Sequence, residues 1–414
     1  MILRARVVLP VSQPPIDDGA VIVSGPRLLF VGRYAALSAP ERTDVVDLGE
    51  TILLPGLINA HCHLDYTGLG GRIPPRNSFT EWIKSLVALK AEWGYADFAL
   101  SWLNGARMLL RSGVTTVADI EAVPELLPDL WQTTPLRVIS FRELISLRSR
   151  FAVPEQVNTA VREWEAVPGG NGRLGLSPHA PYTTSADLLQ RAARASAERQ
   201  WPISTHVSES AEEFEMFLYR LGPLHDWLKN QRDMSDCGAG SPVRHLERIG
   251  YLSDRLLAAH VNYLGKDDDA ILARHGVHVV HCPRSHAFFK HQLFPRRELA
   301  RAGVNICLGT DSLASVLTSR QELLELDFFA ELKTVAAQAP ELPPFEILKM
   351  ATLNGAAALH RQGEIGELAP NALADLIVLP FSEKRTSAYE AVVHHSGSVR
   401  GSMIGGKWAI DPTT

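Results

Sequence analysis

The chain has 414 residues, of which 46% are hydrophobic and 21% are charged, a composition typical of globular proteins. Its formal net charge of −5 offers no basic surface for nucleic acid or for an acidic membrane. No run approaches the roughly 18 apolar residues of a membrane span, and the first residues lack a signal peptide's apolar core. We therefore predict a cytoplasmic protein without nucleic-acid or membrane partners, and leave open whether it forms a homo-oligomer.

Both ends of the chain carry short apolar stretches separated by glycine and proline, the pattern of a small antiparallel sheet. At the start, these stretches are residues 2–9, 20–24, 28–31 and 44–48. At the end, residues 374–380 form one predicted strand, and residues 398–404 and 407–410 form a hairpin around Gly405-Gly406. Because chain termini often lie close together, we predict that residues 1–52 and 363–414 form one small β-sandwich domain.

Between these ends, apolar runs alternate with longer segments that have the leucine and alanine spacing of amphipathic helices. The predicted helices include residues 79–93, 98–112, 185–200 and 321–337. The eight apolar runs are residues 51–58, 114–120, 136–141, 173–177, 201–205, 256–260, 277–281 and 305–308. Repeated strand–helix units imply a parallel sheet, and eight of them predict a (β/α)₈ TIM barrel, an α/β fold, over residues 53–362. Residues 212–254 form a long excursion, a segment inserted between the fifth and sixth runs, and such segments often act as lids.

Polar residues stand at the ends of most of these runs, where a barrel collects its functional groups. His61 and His63 follow the first run two residues apart, so their imidazoles leave the same face of a strand. A single histidine in such a place is more often structural, but the later strand ends repeat the pattern. These later ends carry His179, His206 with Glu209, His260, His281 with Ser285 and His286, and Asp311. Packing alone does not explain this distribution, so we infer a shared site.

The strand ends supply three imidazoles and one carboxylate, a donor set suited to zinc or ferrous iron. The predicted ligands are His61, His63, His206 and Asp311. A metal held in this way can keep a position for water and lower the pKa of that water toward about 7. We assign Asp311 to accepting the water proton and Glu209 to carrying protons to the substrate and leaving group. His260 would orient the water or stabilise the developing tetrahedral centre.

The same residues, in this order, resemble the amidohydrolase superfamily over nearly the whole chain. Its motifs are matched by Pro55-Gly-Leu-Ile-Asn-Ala-His-Cys-His-Leu-Asp65, His206-Val-Ser-Glu209, His260, His281-Cys-Pro-Arg-Ser285 and Gly309-Thr-Asp-Ser312. The resemblance implies a metal-dependent hydrolase with a barrel and a small β-sandwich built from both termini. One branch of the superfamily binds two metals through a carboxylated lysine at the fourth strand. Residues 173–179 contain no lysine, which favours one metal ion, zinc before iron.

The His-x-x-Glu motif together with His260 is similar to the deaminase and chlorohydrolase branch of that superfamily. This branch includes guanine, methylthioadenosine/adenosylhomocysteine and aminodeoxyfutalosine deaminases, and triazine hydrolases. Residues 140–143 and 284–289 look most like the aminodeoxyfutalosine deaminases, although His286 stands where many members have asparagine. The resemblance therefore implies hydrolytic deamination of an amino-heteroaromatic compound. Its substrate would be an adenine-type nucleoside derivative such as aminodeoxyfutalosine, methylthioadenosine or adenosylhomocysteine.

Other interpretations stay open at this point. The same site could hydrolyse the C–Cl bond of a triazine or a cyclic amide, or it could deaminate guanine. A non-catalytic scaffold on the same fold is a third reading from a different class. Such a scaffold would be expected to lose ligands that this chain retains.

The predicted substrate contacts are His179, Arg142, Trp82, Ser285 and His286. His179 would contact the heterocycle or sugar, and the alternative is a rim histidine that only stabilises its turn. Arg142 would bind a ribose hydroxyl or a carboxylate, with Glu143, Arg148 and Arg284 as rivals. Trp82 would stack on an aromatic base, against the alternative of a core aromatic on a helix face. Ser285, like His281, is expected to shape the site rather than to react.

Overall fold

The computed structural model describes residues 1–38, 43–147, 152–169, 174–317 and 324–413, and the strands in these ranges form two sheets. In chain order the strands are β1 (Ile2–Val8), β2 (Ile16–Ser24), β3 (Arg27–Arg33), β4 (Val45–Asp47), β5 (Thr51–Pro55), β6 (Leu57–Cys62), β7 (Val114–Glu121), β8 (Arg137–Leu144), β9 (Leu174–Pro178), β10 (Ile203–Val207), β11 (Leu256–His260), β12 (His278–His281), β13 (Asn305–Leu308), β14 (Leu376–Pro380), β15 (Gly401–Ile404) and β16 (Lys407–Ile410).

Helices follow most of the barrel strands. In chain order they are α1 (Phe79–Lys90), α2 (Tyr95–Arg111), α3 (Asp129–Gln132), α4 (Val153–Glu165), α5 (Ala186–Arg199), α6 (Ala211–Tyr219), α7 (Pro223–Leu228), α8 (Pro242–Arg248), α9 (Asp268–Arg274), α10 (Pro283–Phe288), α11 (Arg296–Ala302), α12 (Phe328–Gln338), α13 (Pro344–Met350), α14 (Leu353–Ala358) and α15 (Ala388–Val393). Within the described ranges, no helix combines the length and apolar character that a membrane crossing requires.

Strands β6 to β13 form the barrel, in which each strand pairs in parallel with the next along the chain. A bridge between Cys62, at the end of β6, and Asp311, just after β13, brings the first and last strands together. All carboxyl ends of the strands therefore meet at one rim, where side chains from distant parts of the sequence converge. The predicted barrel fold is confirmed.

The other sheet contains strands from both ends of the chain, as predicted. Its order is β16-β15-β14-β5-β1-β2-β3, with β4 paired to β1. Antiparallel pairing of β5 with β14 joins the amino-terminal strands to the carboxyl-terminal ones. One face buries Leu3, Val21, Leu53, Leu376 and Met403 in a core of its own. The domain limits at residues 52/53 and 362/363 stay a prediction.

The apolar run 51–58 is not one strand, as the sequence predicted, but two strands in two different sheets. Thr51–Pro55 belongs to the terminal sheet, and Leu57–Cys62 opens the barrel. The break falls at Gly56, where an added Cβ would collide with the side chain of Thr115. Glycine is needed at this close approach because the chain passes from one sheet to the other against β7.

The predicted helices are present with shifted ends, and the start of the fourth, residues 321–323, lies outside the described residues. The excursion at residues 212–254 contains α7 and α8 and most of α6. Trp227 and Gln231 from this excursion line the cavity at the barrel rim. The excursion therefore contributes to the cavity lining, and its action as a lid stays a prediction.

Candidate metal centre and substrate pocket

The four predicted metal ligands converge at the carboxyl end of the barrel and are all buried. His61 and His63 come from β6 and the residue after it, His206 from β10, and Asp311 from the turn after β13. The Nε2 atoms of His61 and His63 each lie 3.8 Å from Asp311 Oδ1, and His63 Nε2 lies 3.2 Å from His206 Nε2. Ligands placed about 2.0–2.2 Å from a shared zinc ion lie roughly 3–4 Å from one another, so this spacing fits.

Hydrogen bonds to the backbone orient His206 toward the centre of the cluster. Its Nδ1 lies 2.8 Å from the carbonyl oxygen of His179, to which only an N–H can donate. The proton therefore resides on Nδ1, and Nε2 turns a lone pair toward His63 and the cluster. This is the arrangement in which a backbone carbonyl fixes the tautomer of a metal-binding histidine.

Two serine hydroxyls orient Asp311. Its Oδ2 accepts hydrogen bonds from Ser285 Oγ at 2.7 Å and from Ser315 Oγ at 2.9 Å. This leaves Oδ1 directed at His61 and His63. Burial raises the pKa of the Asp311 carboxyl, and the Ser285 hydrogen bond opposes that rise.

Unpartnered nitrogen atoms show that the cluster fits a cation. Among the described residues, neither ring nitrogen of His61 has a hydrogen-bond partner, and neither does His260 Nε2. Burial lowers the pKa of His61, His63 and His260 well below the usual value, which leaves these rings neutral. Neutral imidazoles with free lone pairs are the form that binds divalent metals, and burying them without partners is otherwise costly.

His260 is closer to the cluster than its predicted role requires. Its ligand atom lies within 4.8 Å of those of His61 and His206, so it is a fifth candidate ligand. Its Nε2 also lies 3.7 Å from Glu209 Oε1. The pKa of Glu209 is raised well above its usual value, by burial first and by the Asp311 charge second. Both effects favour the protonated form of the Glu209 carboxyl.

The backbone at three positions of the site adopts the left-handed conformation that non-glycine residues avoid. The φ angles are 49° at Ser208, 75° at His260 and 56° at Asp311. Each such conformation costs about 1–3 kcal/mol and persists where surrounding contacts enforce it. At Asp311, one of these contacts is its backbone N–H, which donates to the carbonyl of His61 at 3.1 Å.

A cavity of about 290 Å³ opens onto the cluster. Its polar floor consists of His63, His179, His206, Glu209 and Asp311. Much of its apolar wall comes from α1, which contributes Phe79, Trp82, Ile83, Leu86 and Val87. The cavity can therefore take a flat apolar ring with a reactive edge at the floor.

Two predicted substrate contacts, His179 and Trp82, line this cavity. The Nδ1 atom of His179 lies 2.7 Å from Thr183 Oγ1, and its ring lies 4.8 Å from that of His206. Trp82 packs at 5.0 Å against Phe289 in an edge-to-face arrangement. In the described part of the chain its buried Nε1 has no hydrogen-bond partner.

The structure does not bear out the prediction for Arg142. Its guanidinium lies 3.5 Å from Glu163 on α4, away from the cavity. The adjacent Glu143 lines the cavity instead, because successive side chains of β8 point to opposite faces. Among the other rivals, Arg284 donates to the carbonyl of Glu325 at 2.9 Å, and Arg148 lies outside the described residues.

Ser285 and His286 also lie away from the cavity, contrary to their assignment as substrate contacts. Ser285 is behind Asp311, to which its hydroxyl is bonded. His286 packs against His281 and His291, with ring centres 5.5 Å and 5.4 Å away. Both residues belong to α10, which starts beyond the end of β12 and packs against α12.

Sequence reasoning missed several residues that the structure places at the site. They are Tyr66, Lys90, Tyr182, Trp227 and Gln231, which line the cavity, and Ser315, which binds Asp311. Lys90 stands at the end of an amphipathic helix, where a lysine is ordinarily a solvated residue. Ser315 follows another serine, Ser312, by one helical turn, and nothing in the sequence distinguishes their hydroxyls.

The comparison with protein families decides the assignment. The model of the amidohydrolase family matches residues 52–409 of the chain. The chain belongs to the amidohydrolase family. This confirms the resemblance inferred from the order of the motifs, and with it the prediction of a hydrolase.

Named relatives of this amidohydrolase include deaminases of adenine nucleosides. The 5-methylthioadenosine/S-adenosylhomocysteine deaminase of Syntrophobacter fumaroxidans is 32% identical over 95% of this chain and 89% of its own. The Helicobacter pylori aminofutalosine deaminase, solved with methylthio-coformycin, has a TM-score of 0.83 at 22% identity, covering 98% of this chain and 99% of its own. An adenosine deaminase from Xanthomonas campestris with bound zinc has a TM-score of 0.81 at 24% identity, covering 99% and 92%.

Proposed function

We propose that this amidohydrolase removes the amino group of an adenine-type nucleoside derivative by hydrolysis. The observation that carries the proposal is the pair of Glu209 and His260, 3.7 Å apart beside the histidine–aspartate cluster. Burial raises the pKa of Glu209 well above its usual value, which favours the protonated carboxyl that a proton donor to a ring nitrogen requires. The deaminase names of the relatives support the same reaction.

We assign His61, His63, His206 and Asp311 as the ligands of one divalent ion, with His260 as the alternative for one of these positions. The nitrogen and oxygen donors favour zinc, and iron is the second choice. When bound, the ion supplies a water of lowered pKa as the nucleophile. The chain itself contributes the orientation of the ligands through the His179 carbonyl and the Ser285 hydroxyl.

The proton transfers follow from the positions of three side chains. Asp311 faces the cluster through Oδ1 and accepts the proton that the attacking water loses. Glu209 donates its proton to the ring nitrogen next to the carbon under attack. It then takes the hydroxyl proton of the tetrahedral centre and delivers it to the amine, and the proton held by Asp311 finally restores Glu209. His260, 3.7 Å from Glu209, stabilises the charge that develops on the tetrahedral carbon's oxygen. Water adds, ammonia leaves, and the amino-substituted ring becomes a keto ring.

The apolar wall and the floor together orient the ring. Trp82 offers an aromatic surface within the wall, and its unpartnered Nε1–H offers a donor to a substrate acceptor. His179 lies at the floor beside His206 and contacts the ring or the sugar. Glu143 takes over the role first assigned to Arg142, because its carboxylate lines the cavity and accepts hydrogen bonds from ribose hydroxyls.

Ammonia release by metal-loaded protein tests the proposal. The substrates are methylthioadenosine, adenosylhomocysteine, aminodeoxyfutalosine and guanine, with a chlorinated triazine and a cyclic amide for comparison. We expect ammonia from at least one adenine nucleoside. Chloride release or ring opening without ammonia would assign the site to another hydrolysis, and no turnover of any aminated ring would reject deamination.

A further inference from the structure

Two consecutive carboxylates at the start of α6 reach away from that helix in different directions. The helix begins two residues after Glu209, and Ser210 caps it by accepting the N–H of Glu213 at 3.1 Å. Glu212 and Glu213 form its first turn, where acidic residues ordinarily do no more than complement the helix dipole. Here both carboxylates bind backbone outside the helix.

Glu213 holds the segment that carries Glu209. Its side chain is fully buried, and its two oxygens accept the backbone N–H groups of Ser208 at 3.1 Å and of Glu209 at 2.8 Å. On the opposite side, Asn262 Nδ2 donates to the carbonyl of Glu209 at 2.9 Å. The backbone of Glu209 is thus fixed through both its N–H and its carbonyl, while its side chain faces the cavity.

Glu212 holds the wall of the cavity. Its carboxylate accepts the backbone N–H of Phe79 at 3.0 Å, and the N–H and hydroxyl of Thr80 at 2.9 Å and 2.5 Å. These groups belong to the first turn of α1, whose N–H groups have no partner within the helix. Because α1 carries Trp82 and the other wall residues, Glu212 fixes the wall relative to the segment of Glu209.

We propose that Glu213 is a positioning residue for Glu209 and that Glu212 is a positioning residue for the α1 wall. The first turn of α6 then positions two parts of the site separately. Glu213 positions the proton donor, and Glu212 positions the surface that binds the substrate. Neither carboxylate lines the cavity, so each acts through the residues it holds. A carboxylate buried as deeply as Glu213 is costly, and both its hydrogen bonds end on the segment with the strained Ser208 rather than within a helix.

The kinetic test compares Glu213→Gln, Glu212→Gln and Glu215→Gln, and it rests on the proposed function. Glutamine keeps the size of glutamate, but its NH₂ group cannot accept a hydrogen bond. One of the backbone N–H donors therefore loses its acceptor. For Glu213→Gln we expect kcat to fall about 100-fold with KM within about twofold, since misplacing a reacting group by 1 Å has such an effect. For Glu212→Gln we expect KM to rise about tenfold with kcat nearly unchanged. Glu215 is exposed on the same helix, so its variant should match the wild type.

A second pair of variants examines the α1 contact from its other side. Thr80→Val removes the hydroxyl that donates a hydrogen bond to Glu212 but keeps the shape of the side chain. Thr80→Ser keeps this hydroxyl. Thr80→Val should raise KM as Glu212→Gln does, whereas Thr80→Ser should have the KM of the wild type. Equal losses in kcat for the Glu212 and Glu213 variants, or kinetics like Glu215→Gln in both, would overturn the proposal.

Amide hydrogen exchange gives a readout that does not depend on turnover. Glu213→Gln should speed exchange in the segment of Ser208 and Glu209, and Glu212→Gln should speed it at the start of α1. If the wild type releases no ammonia but exchange changes as described, the proposed function fails while the positioning roles stand. If exchange in both segments equals that of Glu215→Gln, the positioning roles are rejected, whatever the enzyme acts on.

Discussion

The floor and the wall of the cavity are built in different ways. The floor residues His63, His206 and Asp311 lie in barrel strands or just after them, and a backbone carbonyl and a serine hydroxyl orient His206 and Asp311 respectively. The wall residues come from α1, which rises above the rim and is tied to α6 by Glu212. In the proposed function, barrel strands hold the reacting groups and a helix supplies the surface that binds the substrate. Changes in the floor should therefore alter the chemistry, and changes in the wall should alter affinity.

Among changes to the floor and the wall, removal of the metal is expected to lower activity the most. Chelation should abolish ammonia release, and zinc should restore it, because in the proposed function the bound ion would supply the activated water. His206→Ala should lower the metal content measured by atomic spectroscopy. Trp82→Phe, a wall variant, should keep the full content. Full activity in chelated protein shown to be metal-free would contradict the assignment of the floor.

Loss of the Glu209 carboxyl should have the second-largest effect on activity. Glu209→Gln is expected to lower kcat by about 10²–10⁴-fold, the usual contribution of a general acid–base group. The metal content should remain that of the wild type, because Glu209 is not among the assigned ligands. Steady-state ammonia assays and metal analysis on the same preparation would measure both. A kcat within tenfold of the wild type would remove Glu209 from the mechanism.

The support behind the floor should have a smaller effect. Ser285→Ala removes one of two hydroxyls that bind Asp311, and loss of such a partner typically lowers metal affinity by about 10–100-fold. Ser196→Ala is the control, since this buried serine bonds the Trp201 carbonyl far from the cluster. Competition with a chelator would measure the affinity. Equal affinity in the two variants would show that the Ser285 hydrogen bond does not matter to the site.

Substitutions in the wall should change the kinetic constants least. They should also distinguish Trp82, which lines the cavity, from Arg142, which does not. Trp82→Phe keeps an aromatic ring but removes the Nε1–H, so we expect KM to rise a fewfold, about the worth of one hydrogen bond, with kcat unchanged. Arg142→Ala should leave both constants as they are, because the guanidinium faces Glu163. A raised KM in Arg142→Ala would show that this residue turns toward the cavity when substrate binds.

The sequence predicted the floor well because barrel topology forces the carboxyl ends of strands to one rim. His61, His206 and Asp311 could be brought together from the strand pattern alone. The wall was less predictable, since a helix such as α1 can take many positions over the rim and only Trp82 carried a signal. Lys90 and Trp227 resembled ordinary surface and packing residues.

Other errors have identifiable physical causes. Arg142 and Glu143 are both polar, so the alternation along β8 could not be set from the sequence, and the structure places Glu143 rather than Arg142 at the cavity. The run 51–58 is buried throughout, and all of it except Thr51 is apolar, which hid the break at Gly56. Glu212 and Glu213 resembled the acidic first turn of any helix, and their bonds to other elements appear only in three dimensions.

Hydrolysis in water labelled with heavy oxygen tests the central claim most directly. The wild type, loaded with zinc and given an adenine nucleoside from the panel, should release one ammonia for each product molecule formed. Each product should carry one labelled oxygen on the carbon that bore the amine. Ammonia without incorporated label, or product that keeps its amino group, would contradict hydrolytic deamination at this site.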